Sequence, residues 1–216
     1  METSISQEQA LQPRKIVGMN VVGLQTLIKK EVGRFMNVYT QTVVAPVVTT
    51  LLFYAVFALA FGGITRTIGG IPYLAFLAPG LVMMTMVQNA FANTSSSILI
   101  AKVQGNIVDI LMPPLSPTEL YLGFIIGGIC RGLFVGSVVI VVVEVFVGLS
   151  IHSISAILAF ALLGTMMLAS IGLAAGIWSQ KFDHIAAVTN FLVTPLTFLS
   201  GTFYSITQLP EKWHSL

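Results

Sequence analysis

The first periodic segment of the chain is amphipathic. Between Leu24 and Tyr39 the apolar positions recur at i, i+3, i+4 and i+7, the spacing of one face of an α-helix. The rest of the circumference carries Lys29, Lys30, Glu31 and Arg34. We predict an interfacial helix over residues 21–40, with its apolar face in the lipid and its basic residues near anionic headgroups. A helix packed on another subunit would have the same pattern.

Five apolar stretches follow and are predicted to cross a hydrocarbon layer about 30 Å thick, although Pro195 leaves the fifth with a short uninterrupted part. They cover about residues 43–61, 73–100, 121–147, 154–178 and 183–200. Asp183 is the expected N-cap of the fifth. The predicted fold class is therefore all-α, a polytopic helical membrane protein with an interfacial helix and about five transmembrane helices.

The distribution of polar residues orients the chain. Five basic residues between Arg14 and Arg34 precede the first span, so the positive-inside rule places the N-terminus in the cytosol and Leu216 outside the cell. The second span becomes polar at Gln88, Asn89, Asn93 and Ser95–Ser97, and we expect that cytosolic end to be hydrated. Residues 201–213 alternate aromatic and polar side chains, which predicts a partly immersed turn at the outer surface.

Composition supports a membrane protein. Hydrophobic residues make up 56% of the 216 positions and charged residues 8%, too few to cover a soluble globular surface. The first 20 residues are polar and predict a flexible cytosolic segment without a cleaved signal peptide. Cys130 is the only cysteine, which excludes an internal disulfide and a cysteine-based metal cluster. The basic residues are not interleaved with aromatics, so nucleic acid is not an expected partner, whereas the lipid bilayer is.

Motifs of catalytic chemistry are missing from the sequence. It contains no G-x-x-x-x-G-K-[ST], no H-E-x-x-H and no G-x-S-x-G. We therefore expect a protein that is not an enzyme and has no catalytic residue, metal site or cofactor of its own. Any ATP hydrolysis would belong to another chain.

Arg131 is the most unusual charge in the sequence, because it lies near the middle of the third predicted span. A charge at that depth costs roughly 2.5–3.5 kcal/mol on insertion scales, so it should face protein or water. One hypothesis is a translocation path, in which Arg131 contacts an anionic group of the substrate. The alternative is a structural polar site, in which Arg131 is tied to helix carbonyls or to Gln88 and Asn89.

The third span also carries small residues at helix-packing intervals. Gly128, Gly132 and Gly136 repeat at every fourth position, a spacing that allows the backbones of two helices to approach closely. The pattern fits a dimer interface and packing within one chain equally well.

The connection between the second and third spans, residues 102–114, is predicted to be rigid. Residues 103–111 can form a short helix that Pro113 and Pro114 end, and Ser116 and Glu119 fit the capping box that begins the third span. Movement imposed on this segment would pass to two spanning helices. A tight loop that only caps the two helices is the alternative.

These features resemble the permeases of the type-2 ABC exporter class, close to small bacterial permeases of drug, lipid or polysaccharide export. The resemblance rests on Ala78-Pro79-Gly80-Leu81, Gly105-Asn106-Ile107 with Asp109 to Pro114, and Leu199-Ser200-Gly201-Thr202-Phe203-Tyr204 with Leu209-Pro210. It implies a type-2 transmembrane domain over residues 21–216. A coupling helix containing Gln104, Gly105, Asn106, Asp109 and Leu111 would contact a nucleotide-binding subunit, as would the N-terminal helix. Gly201, Phe203, Tyr204 and Pro210 would belong to a re-entrant outer hairpin that gates the exit.

The resemblance also implies partners and a function. Two permeases would form a homodimer and pair with two cytosolic ABC ATPase subunits, which bind ATP and Mg. The expected function is export of a hydrophobic or amphipathic substrate across the cell inner membrane. An ATP-independent secondary carrier and a non-transporting membrane scaffold are the alternatives. Members of this class have a sixth span after the outer hairpin, so we expect this sequence to be truncated before it.

Overall fold

The computed structural model describes residues 18–61, 67–68, 70–147, 153–200 and 202–203, and within them the secondary structure is almost entirely helical. The helices are α1 (Val21–Met36), α2 (Tyr39–Phe61), α3 (Tyr73–Val103), α4 (Ile107–Leu111), α5 (Pro117–Val147), α6 (Ile154–Trp178), α7 (Phe182–Val188) and α8 (Thr194–Leu199). A π-helical turn, Thr189–Val193, joins α7 to α8. Two short strands, β1 (Thr67–Ile68) and β2 (Ile71–Pro72), pair antiparallel before α3.

Five helical segments in the described part of the chain are long and apolar enough to cross a membrane, which confirms the predicted fold class. They are α2, α3, α5, α6 and the continuous segment Phe182–Leu199. Many of their large apolar side chains point away from the protein. Leu59 is 88% exposed and Val145 is 80% exposed, as expected for residues that face lipid.

Helix α3 is the centre of the bundle and packs against α5 and α6. Its side chains Leu77, Ala90 and Leu99 are fully buried at three levels along the helix. Helix α1 packs along α5, where Leu27 lies against Gly123 and the rings of Phe35 and Phe134 are 6.1 Å apart.

Part of the polar end of α3 is packed rather than hydrated, so the expectation is wrong for Asn93 and Ser95, whereas Gln88 and Ser96 are only partly buried. Asn93, Thr94 and Ser95 are completely buried. The Thr94 hydroxyl donates to the Ala169 carbonyl of α6 at 2.8 Å, and Gly172 lies directly against Thr94 and the backbone of Phe91. Small polar side chains allow two helices to approach closely and bond to each other inside the membrane.

The three glycines of α5 lie on the same contact surface. A side chain at Gly132 would come within 2.8 Å of the Met86 carbonyl, and one at Gly128 within 3.2 Å of the Ala90 carbonyl. Gly136 faces the side chain of Met86. Each of these neighbours belongs to α3 of the same chain, so the spacing serves packing within one chain.

The connection from α3 to α5 differs in part from the predicted helix over residues 103–111. Helix α3 continues to Val103, a turn follows in which Gly105 has φ +77°, and α4 begins only at Ile107. The turn needs glycine, because a side chain disfavours that φ. The predicted capping box is present: Ser116 N donates to a Glu119 oxygen at 2.6 Å, and Glu119 N donates to Ser116 Oγ at 3.3 Å.

The sequence suggested Asp183 as the N-cap of the fifth segment, and that prediction is wrong. Lys181 occupies that position without a side-chain cap, and Asp183 lies inside the first turn. A carboxylate there still faces the positive end of the helix dipole.

Candidate functional site

A buried ion pair connects the N-terminal helix to the polar end of α3. Glu31 is completely buried, and its carboxylate accepts from Arg34 Nη2 at 3.2 Å and from Ser97 Oγ at 2.7 Å. Arg34 also donates to the backbone and side-chain oxygens of Asn93, at 2.7 and 2.9 Å, and to Ser96 Oγ at 3.2 Å. Glu31 and Arg34 therefore do not lie on the solvated face of an interfacial helix, and that interpretation is wrong for these two residues.

A cleft of about 340 Å³ separates α3 from the fifth membrane segment. Gln88, Asn89, Ser95 and Ser96 line it from α3, and Ile185, Thr189, Val193 and Thr194 line it from the other side. Gln88 Nε2 donates across to Thr197 Oγ1 at 3.1 Å, and Asn89 Nδ2 donates to the Thr85 carbonyl at 3.0 Å. The cleft combines apolar walls with amide and hydroxyl groups, a lining suited to an amphipathic molecule.

The fifth segment faces this cleft at its π turn. Thr194 N donates to the Thr189 carbonyl, five residues earlier, so the turn holds one residue more than an α-helical turn. Pro195 follows at once and cannot donate a backbone hydrogen bond. Single π turns of this kind occur often at functional sites.

Arg131 lies in a second cleft of about 430 Å³, which shares Ser96 with the first. This cleft is lined by Gln41, Thr42 and Pro46 of α2, Ser96 and Ile100 of α3, and Arg131 of α5. Arg131 Nε is buried and has no hydrogen-bond partner. The hypothetical tie of Arg131 to Gln88 and Asn89 is absent from the described residues: Gln88 donates to Thr197 and Asn89 to the Thr85 carbonyl, and both amides line the first cleft.

The predicted coupling segment is anchored on one side and exposed on the other. Ile110 is buried and packs with Leu27 and Ala101, while Ile107 lies against the same cluster. Val108, Leu111 and Met112 are 54%, 63% and 77% exposed. Gln104, Gly105, Asn106 and Asp109 lie on the same exposed connection.

Glu119 joins the start of α1 to the start of α5. Its carboxylate accepts from the backbone N–H of Asn20 as well as from Ser116. Asn20 in turn caps α1 through Gly23 N at 2.9 Å and donates to the Pro114 carbonyl at 3.2 Å. The N-terminal helix, the coupling segment and α5 are therefore fastened at one point.

Lys102 fastens the other side of the same end of the bundle. Its ammonium group donates to the carbonyls of Gly176 at 3.0 Å, Ser179 at 3.1 Å and Ile177, which end α6. A cation at a helix C-terminus satisfies free carbonyls and complements the helix dipole.

The opposite end of the bundle is closed by aromatic side chains. Phe203 stacks on Phe198, with ring centroids 5.0 Å apart, and lies equally close to Phe57. The Tyr73 hydroxyl donates to the Phe203 carbonyl at 3.2 Å, and Thr202 covers Gly80. Gly201, Tyr204 and Pro210 of the predicted outer hairpin lie outside the described residues.

Sequence reasoning missed the roles of Glu31, Arg34 and Lys102. The available signal for the pair was an acid three residues before an arginine, in a helix that must pack near the polar run of α3. No group of three or more His, Cys, Asp or Glu side chains that could hold a metal ion occurs in the part of the chain that the structure describes.

The chain belongs to the ABC-2 type transporter family, whose model matches residues 22–216. It is a permease subunit of an ABC exporter in the inner membrane, with several apolar membrane helices.

Its relatives agree with that class. The inner membrane transport permease YadH of Escherichia coli (strain K12) is 38% identical over 195 residues, which cover 90% of this chain and 76% of the relative. YadH of Shigella flexneri gives the same values. Nodulation protein J of Sinorhizobium fredii is 24% identical over 165 residues, 75% of this chain and 63% of the relative. No solved structure matches the chain.

Proposed function

We propose that this permease exports a hydrophobic or amphipathic substrate, and that the cleft between α3 and Phe182–Leu199 forms part of the path. The support is its lining: Gln88, Asn89 and Thr189 offer hydrogen bonds beside the apolar Phe91 and Val193. A molecule with an apolar body and a few polar groups would find partners for both. The π turn at Thr189–Val193 supplies a flexible point at which the path could widen.

The energy source is a separate ABC ATPase subunit. ATP and Mg bind to that subunit and not to this chain. The observation that carries this proposal is the exposed apolar surface of the coupling segment, formed by Val108, Leu111 and Met112. Such a surface on a polar connection favours contact with another protein. Because Ile110 anchors the segment to α1 and α3, a push on it would move the spanning helices.

The proposed assembly has the N-terminus and α4 in the cytosol and two permeases side by side. The basic residues before α2 support this orientation. Residues 201–213 would form the outer hairpin, and the aromatic cluster around Phe203 would close the exit until transport. ATP-driven closure of the two ATPases would pull the coupling segments and open the path.

The decisive experiment is affinity purification of the chain from mildly solubilised native membranes. Stoichiometric recovery of an ABC ATPase, lost in Leu111→Asp and retained in the control Leu163→Asn on the lipid-facing side of α6, would support the proposal. Leu163 is 65% exposed, close to the 63% of Leu111. Transport without any ATPase would instead identify an autonomous carrier, and the absence of transport would identify a scaffold.

A further inference from the structure

Arg131 is a charged side chain without a counter-ion in the described part of the chain. Arg34 lies near the cleft that holds Arg131, because it donates to Ser96 Oγ at 3.2 Å and Ser96 lines that cleft together with Arg131. The carboxylate that pairs with Arg34 in the described part of the chain is Glu31, which also accepts from Ser97. Two guanidinium groups and one carboxylate leave one positive charge uncompensated, and that charge belongs to Arg131.

Burial makes this charge costly for the protein. Arg131 Nε is buried without a partner, although the side chain opens on a cleft of about 430 Å³. An unpaired charge removed from water is strongly unfavourable unless a ligand or a counter-ion neutralises it. The described residues that line the cleft include no acid.

The cleft offers an anion polar groups in addition to the positive charge of Arg131. Gln41 and Ser96 line it beside Arg131, and Gln41 is exposed at its edge. The Gln41 amide could donate to an oxygen of the same anion that the guanidinium binds, whereas the Ser96 hydroxyl already donates to the Asn93 carbonyl at 3.2 Å. The rest of the lining is apolar and includes Ala45, Pro46 and Ile100, which suits an attached hydrocarbon chain.

We propose that Arg131 and Gln41 form a site for the phosphate or carboxylate headgroup of an anionic amphiphile. Helix side chains tilt toward the helix N-terminus, so Arg131 of α5 reaches toward the end at which α3 finishes and α2 begins. In the proposed orientation that end faces the cytosol. The amphiphile therefore enters from the inner leaflet, either as a resident lipid or as the transported molecule.

The test measures retention of phosphatidylglycerol and phosphatidylcholine by the solubilised chain, using native mass spectrometry. Wild type should prefer phosphatidylglycerol, and Arg131→Gln should weaken that binding about tenfold or more, because charged hydrogen bonds are lost. Arg131→Lys, which keeps the charge, should retain most of the phosphatidylglycerol binding. The matched control Lys181→Gln removes an exposed positive charge at the start of α7 and should leave the preference unchanged.

Thermal unfolding separates a ligand site from a structural one. Without lipid, Arg131→Gln should unfold at the same temperature as wild type or a higher one, because an unpaired charge has been removed. Unchanged lipid preference in Arg131→Gln would overturn the proposal, as would an equal loss of that preference in Lys181→Gln. Lipid binding in detergent depends on neither the ATPase nor the orientation of the chain. Failure of this binding test is therefore distinct from failure of the proposed function. Only the assignment of the site to the inner leaflet rests on the proposed function.

ATP turnover with the co-purified ATPase distinguishes the two sources of the amphiphile. A lipid that stays bound through turnover is resident, and one that is released to the outer leaflet is cargo. Both results support the site. Soluble inorganic phosphate should compete weakly, since it lacks the hydrocarbon chain, and full competition by phosphate alone would overturn the amphiphile assignment.

Discussion

Glu31 and Arg34 form an ion pair of 3.2 Å on adjacent turns of α1, in which the carboxylate is completely buried against α3 and the arginine side chain is 26% exposed. Glu31→Ala should lower the free energy of unfolding by about 3 kcal/mol, because Arg34 loses its carboxylate and Ser97 loses its acceptor. Thermal or denaturant unfolding in detergent measures the change.

The control for this variant is Lys30→Ala, which removes an exposed charge from the same helix and should change stability by less than about 0.5 kcal/mol. The double variant Glu31→Leu with Arg34→Met should cost less than Glu31→Ala alone, since no lone charge remains. Equal stability of Glu31→Ala and Lys30→Ala would show that the pair does not hold α1 in place.

Position 132 should not tolerate a side chain in place of Gly132, whereas position 33 should tolerate one in place of Gly33. In Gly132→Ala the added methyl group would meet the Met86 carbonyl at 2.8 Å and the Thr165 methyl at 2.9 Å, so α3, α5 and α6 must shift. We expect a loss of about 2 kcal/mol. Gly33→Ala is the matched control, because its methyl group would meet nothing within 4 Å and should even favour the helix. Unfolding measurements test stability, and a change only in the dimer population would contradict packing within one chain.

Asp109→Lys should uncouple the ATPase from transport. The charge reversal lies on the exposed side of the coupling segment, between Val108 and the exposed Leu111, while the anchoring Ile110 is unchanged. We expect normal insertion and unfolding, with loss of substrate-stimulated ATP hydrolysis in reconstituted vesicles. Asp183→Lys makes the same reversal at the exposed start of α7 and should keep the stimulation. Full stimulation in Asp109→Lys would remove the segment from the coupling route.

Lys102→Met should loosen the end of α6. The ammonium group donates to three carbonyls there, including those of Gly176 and Ser179, and methionine offers no donor. A loss of about 1–2 kcal/mol is expected from unfolding curves, with Lys102→Arg intermediate. Lys29→Met, an exposed position of α1, should be close to neutral. If Lys102→Met is neutral too, solvent already satisfies those carbonyls.

The membrane helices could be predicted because hydrophobicity alone decides them. Apolar runs of 20 residues identify the spans whatever their neighbours are, and α6 begins and ends at the predicted residues 154 and 178. The capping box at Ser116 and Glu119 was also predictable, because its hydrogen bonds lie within one turn of the chain.

The site could not be predicted to the same depth, because it depends on how distant helices meet. Amphipathic periodicity assigns Glu31 to the solvated face, yet the polar run of α3 lies opposite and satisfies its carboxylate. Polarity likewise suggested that Asn93 and Ser95 are hydrated, although hydrogen bonds let them pack. Arg131 and Gln88 both lie within spans, and only the packing of the helices assigns each to a different cleft.

The π turn in the fifth membrane segment determines which way the helix before it faces. One residue corresponds to about 100° of rotation in an α-helix, so the extra residue within Thr189–Val193 turns α7 relative to α8 by that angle. Ile185 of α7 and Thr194 of α8 thus line the same cleft, although the two helices are rotated relative to each other about the segment axis. Deleting one residue there would rotate Ile185 out of the lining while leaving every other cleft residue chemically intact. The lining of the cleft is therefore encoded in the number of backbone units in this turn as much as in the side chains it displays.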